Sequence, residues 1–374
     1  MNTPDLRYSC ASKLESAAPG MNHFQAFVGL DGFIDEIIHV VDKRSGIEEF
    51  QRVPTIKKLA ERLAAAAGKS TNIELVTQLT KLGGNGPIMA NALASLGLRV
   101  TYLGALGYPD LHPVFKKFAE CAEVHSVAEA AHTDALEFED GKLMLGKMVP
   151  LNDMNWPNIQ ERFGRDRFAR HFGGSNLVAF VNWTMIPHMS RIWESLLEEL
   201  CPSLSGDRHA LFFDLADPEK RTASDIRQAL SLIERFGAYF DVILGVNEKE
   251  ACEIAKAIGI EVRALTREGV SEMALEMASK ISVNTLVVHP VAYALAVSGG
   301  QLDVVAGPLI EKPVITTGAG DHFNAGFCTG KLLGFSNSES LLCGVGTSGY
   351  YVRSARSPSV LELAGLFREW PTRG

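Results

Sequence analysis

Short apolar runs alternate with stretches of helical period along most of this chain. Phe24 to Leu30, Val100 to Leu103, Leu177 to Val181, Ala210 to Phe213, Val242 to Leu244 and Leu286 to His289 are predicted strands. Ile88 to Leu96, Met189 to Leu200, Ser224 to Phe236 and Glu248 to Ala257 carry the spacing of helices between them. This succession predicts an α/β fold with a mostly parallel sheet covered by helices on both faces, and places function beyond the carboxyl ends of the strands. Three segments break the pattern. Ile37 to Val41, Ile73 to Leu82 and the strand-turn unit Ala135 to Met148, turning at Asp140-Gly141, predict a small sheet projecting from the main domain. Thr55 to Ala67 is a predicted helix inserted among them, with Ile56, Leu59, Leu63 and Ala67 on one side.

With 374 residues and 46% apolar content, the chain can bury a large core, and one main domain over 21–374 is expected, with lid segments near 37–54, 72–82 and 133–150. Residues 1–20 include Asp5 and Glu15 and lack an apolar run of signal length, which predicts a flexible tail. A net charge of −8 gives no support for a nucleic-acid or membrane surface, and no apolar run reaches bilayer length. The six cysteines form no paired CxxC spacing and are expected to be free thiols in the cytoplasm.

Two glycine-rich loops carry the candidate chemistry. In Thr316-Thr317-Gly318-Ala319-Gly320-Asp321, small residues run into a helix start with a carboxylate in its first turn. Unpaired N–H groups at a helix start attract anions, so an acid placed there points to a proton acceptor beside a bound phosphoryl group. In Gly83-Gly84-Asn85-Gly86-Pro87 the glycine expected three residues further on in a dinucleotide fingerprint is Met89, which excludes that reading. Asp31 and Asp35 follow the first strand, and either could take hydrogen bonds from vicinal hydroxyls or cap a turn. Asn182 follows the Val178 to Val181 strand as a polar lining candidate.

The segments Thr317 to Asp321 with Phe323 to Phe327, Gly83 to Gly86 with Asn91 to Gly97, and Asn247-Glu248-Lys249-Glu250 together resemble the ribokinase-like (PfkB) family of carbohydrate and nucleoside kinases. The resemblance runs from about Phe27 to Arg353 and implies a three-layer sandwich with a small projecting β-sheet lid. It implies that Asp321 accepts a proton from the substrate hydroxyl and that Gly318, Ala319 and Gly320 form an anion hole. Asp35, with Asp31 as competitor, Gly83, Gly84, Asn85 and Asn182 would hold the acceptor. Asn247, Glu250, Thr317 and Asn324 would serve ATP, with Glu250 holding Mg2+ indirectly. The segment Asp214 to Arg221 matches the family only loosely; Lys220 or Arg221 would contact phosphate there, or the loop is simply solvated.

Two departures matter. Ile315 stands where many relatives carry an aspartate, so potassium activation is not to be assumed. His289-Pro290-Val291-Ala292-Tyr293-Ala294 lacks the family's nucleotide-loop glycines, and Tyr293 is either a base-pocket residue or an ordinary buried aromatic. The implied activity is ATP- and magnesium-dependent phosphorylation of a primary hydroxyl on a small sugar or polyol. A nucleoside kinase and a ligand-binding protein of weakened catalysis are the alternatives, and a homodimer through the lid is expected to protect its edges.

Overall fold

The computed structural model describes residues 3–371. Its strands are β1 (Gln25–Leu30), β2 (Phe33–Arg44), β3 (Phe50–Arg52), β4 (Leu75–Gly83), β5 (Arg99–Gly104), β6 (Glu123–Ser126) and β7 (Ala131–Phe138). They continue with β8 (Gly141–Lys147), β9 (Leu177–Val181), β10 (Ala210–Asp214), β11 (Asp241–Val246), β12 (Thr285–Val288), β13 (Tyr293–Ser298) and β14 (Gln301–Ala306). The helices are α1 (Pro4–Ala17), α2 (Ile56–Ala65), α3 (Asn85–Ser95), α4 (Trp156–Ile159), α5 (Arg165–Gly174) and α6 (Met189–Glu199). α7 (Ala223–Phe236), α8 (Glu248–Ala257), α9 (Arg267–Lys280), α10 (Ala319–Leu332), α11 (Asn337–Ser354) and α12 (Val360–Arg368) follow.

The main sheet has nine strands in the order β14-β13-β12-β11-β10-β9-β1-β5-β6, with β12, β13 and β14 joined antiparallel and the remainder parallel. Each central strand sends alternate side chains to opposite cores. Phe27, Val178, Phe180, Leu211, Phe213, Val242 and Leu244 enter one apolar cluster, while Ala26, Val28, Leu177, Ala179, Phe212 and Ile243 enter the other. The continuous apolar runs in the sequence are thus strands buried on both faces, in three layers. Order reverses at β1, which lies between β9 and β5, and a crevice opens at such a switch point.

β2, β3, β4, β7 and β8 form a separate five-stranded sheet. Ile38, Val40, Val53, Leu59, Leu136 and Phe138 make its own small core. α2 covers that core with Ile56 and Leu59, whereas Leu63 is exposed. Thr55 caps α2 by accepting from Lys58, and the Asp140 carboxylate of the β7–β8 turn accepts from the Ile56 N–H at 2.8 Å.

The expected tail at 1–20 is corrected from residue 4 onward; residues 1 and 2 lie outside the described ones. Pro4–Ala17 is helical, capped by Thr3, with Cys10, Ala11 and Leu14 buried. Its apolar face is short and its partners are far off in sequence. Leu14 joins the core cluster of Leu363 and Phe367, Glu15 pairs with Arg368 at 2.7 Å, and Lys13 pairs with Glu339 at 2.5 Å. Leu14→Ala is therefore expected to cost about 3 kcal/mol, the range for a fully buried leucine. Urea unfolding checks this, and a midpoint unchanged from wild type would return the segment to the status of a loose tail.

Candidate functional site

The carboxyl ends of β1, β9, β10, β11 and β12 converge on one side of the sheet, and each delivers a polar residue there: Asp31, Asn182, Asp214, Asn247 and His289. Asp31 is fully buried at the switch point. Its carboxylate accepts from the Asn85 N–H at 3.0 Å, the Gly86 N–H at 2.8 Å and Asn182 Nδ2 at 2.7 Å, while the Tyr102 hydroxyl donates to its carbonyl at 2.6 Å. Burial lifts its carboxyl to about 6, against the pull of those donors. Asp31 is thereby removed from the list of acceptor ligands: its oxygens face inward and hold the glycine-rich loop. Asn182 sits at φ 63, a left-handed conformation asparagine tolerates, and it also accepts from the Met185 N–H at 3.3 Å.

The loop leaves no room for larger residues. A Cβ on Gly86 would lie 2.3 Å from the Tyr102 hydroxyl and 2.6 Å from the Asp31 carboxylate. A Cβ on Gly83 would lie 2.3 Å from the Asp35 carboxylate, so Gly83 makes space for Asp35 and does not itself line the cavity.

A cavity of about 340 Å³ opens between the main sheet and the lid. Asp35, Gly84, Asn85, Asn182, Thr317, Gly318 and Asp321 line it, joined by Thr133, Lys220 and Asp217 and by the apolar Phe33, Ile88 and three methionines, Met144, Met148 and Met185. Burial raises the Asp35 carboxyl, with Lys81, Thr133 and Lys142 acting to lower it. Asn85 Nδ2 donates to Asp321 Oδ1 at 3.0 Å, which ties the two glycine-rich motifs together across 236 positions.

α10 is buried from Asp321 to Gly330. Asp321 stands in that turn, buried, with its carboxyl pushed up to about 8 by desolvation; Asn85 opposes the shift, and the charges of Asp31 and Glu250 add to it. Gly318, at φ +89, and Gly320 have no acceptor for their N–H groups among the described residues, whereas the Ala319 N–H is taken by the Thr316 carbonyl at 3.2 Å. Of the three residues the resemblance names for an anion hole, Gly318 and Gly320 thus keep N–H groups without an acceptor among the described residues and Ala319 does not. Gly320 also lies against His289, whose ring would be 3.3 Å from a Cβ there.

Behind the cavity lies a layer of buried acids. Asp214 receives the Ala216 N–H at 2.9 Å and Asn324 Nδ2 at 2.8 Å; burial first, then the charges of Glu250 and Asp321, hold its carboxyl well above the usual range. Glu250 and Asn247 form a capping box on α8, the carboxylate accepting from the Asn247 N–H at 2.9 Å and from the Asp217 N–H at 3.1 Å. Asn247, Glu250 and Asn324 therefore do not line the cavity, and Asn324 is fixed on Asp214. Ala216 and Asp217 both lie at φ 53, consecutive left-handed residues that the Asp214 and Glu250 carboxylates pin in place. Among the described residues no group of three His, Cys, Asp or Glu side chains could hold a metal alone.

Of the loosely matched segment, Lys220 lines the cavity, whereas Arg221 is committed to the Thr184 and Ile186 carbonyls and stacks on Trp183. The Tyr293 hydroxyl has no partner among the described residues and is not in the cavity lining. Thr133 and the methionines escaped the sequence reading; only the alternation of β7 could have marked Thr133, and nothing local marks the methionines. No described helix is long and apolar enough to cross a membrane.

A switch-point crevice under a projecting lid, with a carboxylate at the mouth of an open helix N-terminus, defines a ribokinase-like phosphotransferase site. Solved structures share the fold. Arabidopsis thaliana ribokinase complexed with ribose and ATP superposes with a TM-score of 0.65 at 16% identity, over 92% of this chain and 98% of that one. A Methanocaldococcus jannaschii nucleoside kinase gives 0.59 at 14% identity, over 92% and 98%. Residues 6–370 match the family model described as prokaryotic ketohexokinase. A ketohexokinase of Haloferax volcanii is 30% identical over 370 residues, 97% of this chain and 96% of that protein. The chain belongs to the prokaryotic ketohexokinase family and is a carbohydrate kinase.

The raised Asp321 carboxyl has a consequence for stability. Its value near 8 in the folded state, against about 4 unfolded, means the native state holds the extra proton between those limits. Stability from this group is full below pH about 4 and is lost as pH rises toward 8. Asp321→Asn should therefore be more resistant to urea than wild type at pH 8, by an amount on the order of a few kcal/mol that closes by pH 4 to 5. A gap that is constant or reversed across that range would show Asp321 to be ionised without penalty.

Proposed function

We propose that this kinase transfers the γ-phosphoryl group of ATP to a primary hydroxyl of a ketohexose. The observation that carries the reading is Asp321, seated at the open end of α10 in the same cavity as Asp35 and Asn85. The Asp35 carboxylate accepts hydrogen bonds from two neighbouring sugar hydroxyls. Asn85 holds Asp321 Oδ1 through Nδ2, which leaves Asp321 Oδ2 for the attacking hydroxyl and the Asn85 carbonyl oxygen for the sugar. The free N–H groups of Gly318 and Gly320 receive oxygens of the transferred group, where charge gathers. Lys220 adds positive charge at the rim, and the lid residues Thr133, Met144 and Met148 keep water from the reacting atoms.

Magnesium, when bound, draws charge from the phosphate oxygens. The buried carboxyls of Asp214 and Glu250 suit a hard cation nearby, one held chiefly by phosphate and water, with Glu250 the closest to an indirect ligand. Phe33 is the aromatic ring in the cavity lining, and Ile88, Met144, Met148 and Met185 supply its other large apolar side chains. A base sandwiched between rings is not provided for, which favours a sugar over a nucleoside. Exposed Leu75 and Leu79 on β4 and Met144 and Leu145 on β8 make the lid edges the surface through which two copies would pair.

The experiment is mass detection of the phosphorylated product from ATP with ketohexoses, aldoses, pentoses and nucleosides side by side. Preference for a ketohexose supports the reading, and preference for a nucleoside overturns it. Asp321→Asn should lower kcat on the order of 10²- to 10⁴-fold while sugar affinity, measured by calorimetry, stays within a few-fold. Because the free carboxyl sits near 8 and only its ionised form accepts a proton, kcat/KM of wild type should climb with pH up to about 8 and then level. A flat profile from pH 6 to 9 with chemistry limiting would remove Asp321 from the role of base.

A further inference from the structure

The residue after Asp321 is His322, a buried imidazole that the transfer itself does not use. Its Nδ1 lies 2.7 Å from the Gly318 carbonyl and its Nε2 lies 2.8 Å from Ser357 Oγ. The ring stacks on Tyr351 with centroids 3.6 Å apart and planes 12° from parallel. A carbonyl can only accept, so Nδ1 carries the hydrogen. Burial pulls this imidazole down to about 4, so it is neutral at working pH and Nε2 accepts from the Ser357 hydroxyl. Ser357 Oγ accepts in turn from Asn91 Nδ2 at 3.3 Å, and its backbone carbonyl accepts from Ser95 Oγ at 3.1 Å. Every donor in this chain has an acceptor, and it runs one way, from α3 to Gly318.

A second support meets the same turn. The Tyr351 hydroxyl donates to the Thr317 carbonyl at 3.0 Å. In a trans peptide the C=O and N–H point in opposite directions, so holding the Thr317 carbonyl from outside the cavity aims the Gly318 N–H the other way. His322 holds the next carbonyl, that of Gly318, which also accepts the first helical bond from the His322 N–H at 3.1 Å. Gly318 has no Cβ to limit its backbone and sits at φ +89, so this is the point of the turn where outside support matters most.

We propose that His322 is a positioning residue for phosphoryl transfer: the relay from Asn91 through Ser357 and His322 fixes the Gly318–Ala319 peptide, which stands between the open N–H groups of Gly318 and Gly320, while Tyr351 aims the Gly318 N–H from the preceding carbonyl. The relay also ties the acceptor side to the phosphoryl side, since α3 starts at Asn85, which lines the cavity and bonds to Asp321. This rests on the function proposed above.

His322→Phe keeps a ring over Tyr351 and loses both hydrogen bonds, His322→Asn can still donate from the position of Nδ1, and Ser357→Ala removes only the distal donor. Kinetics use ATP and D-fructose, or whichever sugar the wild type phosphorylates, and deuterium exchange is followed over the Thr316 to Asp321 segment. His322→Phe should lower kcat on the order of 10- to 100-fold with sugar KM within about threefold, the signature of a misaimed donor. His322→Asn should recover to within about fivefold of wild type, Ser357→Ala should fall between the two, and exchange over the segment should quicken in His322→Phe and Ser357→Ala. The proposal is overturned by a His322→Phe kcat within about twofold of wild type, by a loss confined to KM, by failure of His322→Asn to rescue, or by unchanged exchange in Ser357→Ala. A wild type that phosphorylates no sugar sinks the proposed function, while the exchange comparison still decides the relay.

Discussion

One buried carboxylate organises this molecule. Asp31 sits where the strand order turns back on itself, and leaving its oxygens unpaired there would cost several kcal/mol. Satisfying them requires the first N–H groups of α3 and the amide of Asn182, just past β9, to come to one point, while the phenol of β5 holds the carbonyl of the same residue. That requirement fixes where α3 begins, hence where Asn85 stands, hence how Asp321 is approached from across the crevice. The acid that touches the least of the cavity does the most to shape it.

The same logic, at higher cost, governs the layer behind. Asp214, Glu250 and Asp321 are all buried and all hold their protons above the ordinary carboxyl range, chiefly through burial, with Asp214 also raised by Glu250 and Asp321, Asp321 by Asp31 and Glu250, and Glu250 by Asp217 and Glu253. A fold selected only for stability would replace such a cluster with apolar side chains of similar size. Its presence at the strand ends marks a candidate functional site. The paired left-handed residues Ala216 and Asp217 lie in the same region.

What the sequence made legible follows the distance between cause and effect. Asp321 and its glycines are contiguous, so their helix-start chemistry could be read from a dozen residues. Both-face burial of the parallel strands was equally visible, since unbroken apolar runs leave no side for solvent. Asp31 and Asp35 could not be separated, because the three residues between the two acids say nothing about Asn182 or Tyr102, which hold Asp31 from 151 and 71 positions away. Asn247 and Glu250 were read through the family resemblance, and their geometry is first that of a helix cap. α1 was missed because its buried side needs α12, more than 350 positions further on, before it has anything to cover.

That last contact closes the chain on itself. Arg7 lies over the Trp370 ring at 5.7 Å, and Glu15 meets Arg368. Helices α1 and α12 therefore share one neighbourhood and only jointly bury their apolar sides. A linker between the outer ends of these two helices, with the chain opened at an exposed turn such as Gly299-Gly300, would keep them paired, so a permuted form of this enzyme should be a workable scaffold for inserting sensor domains.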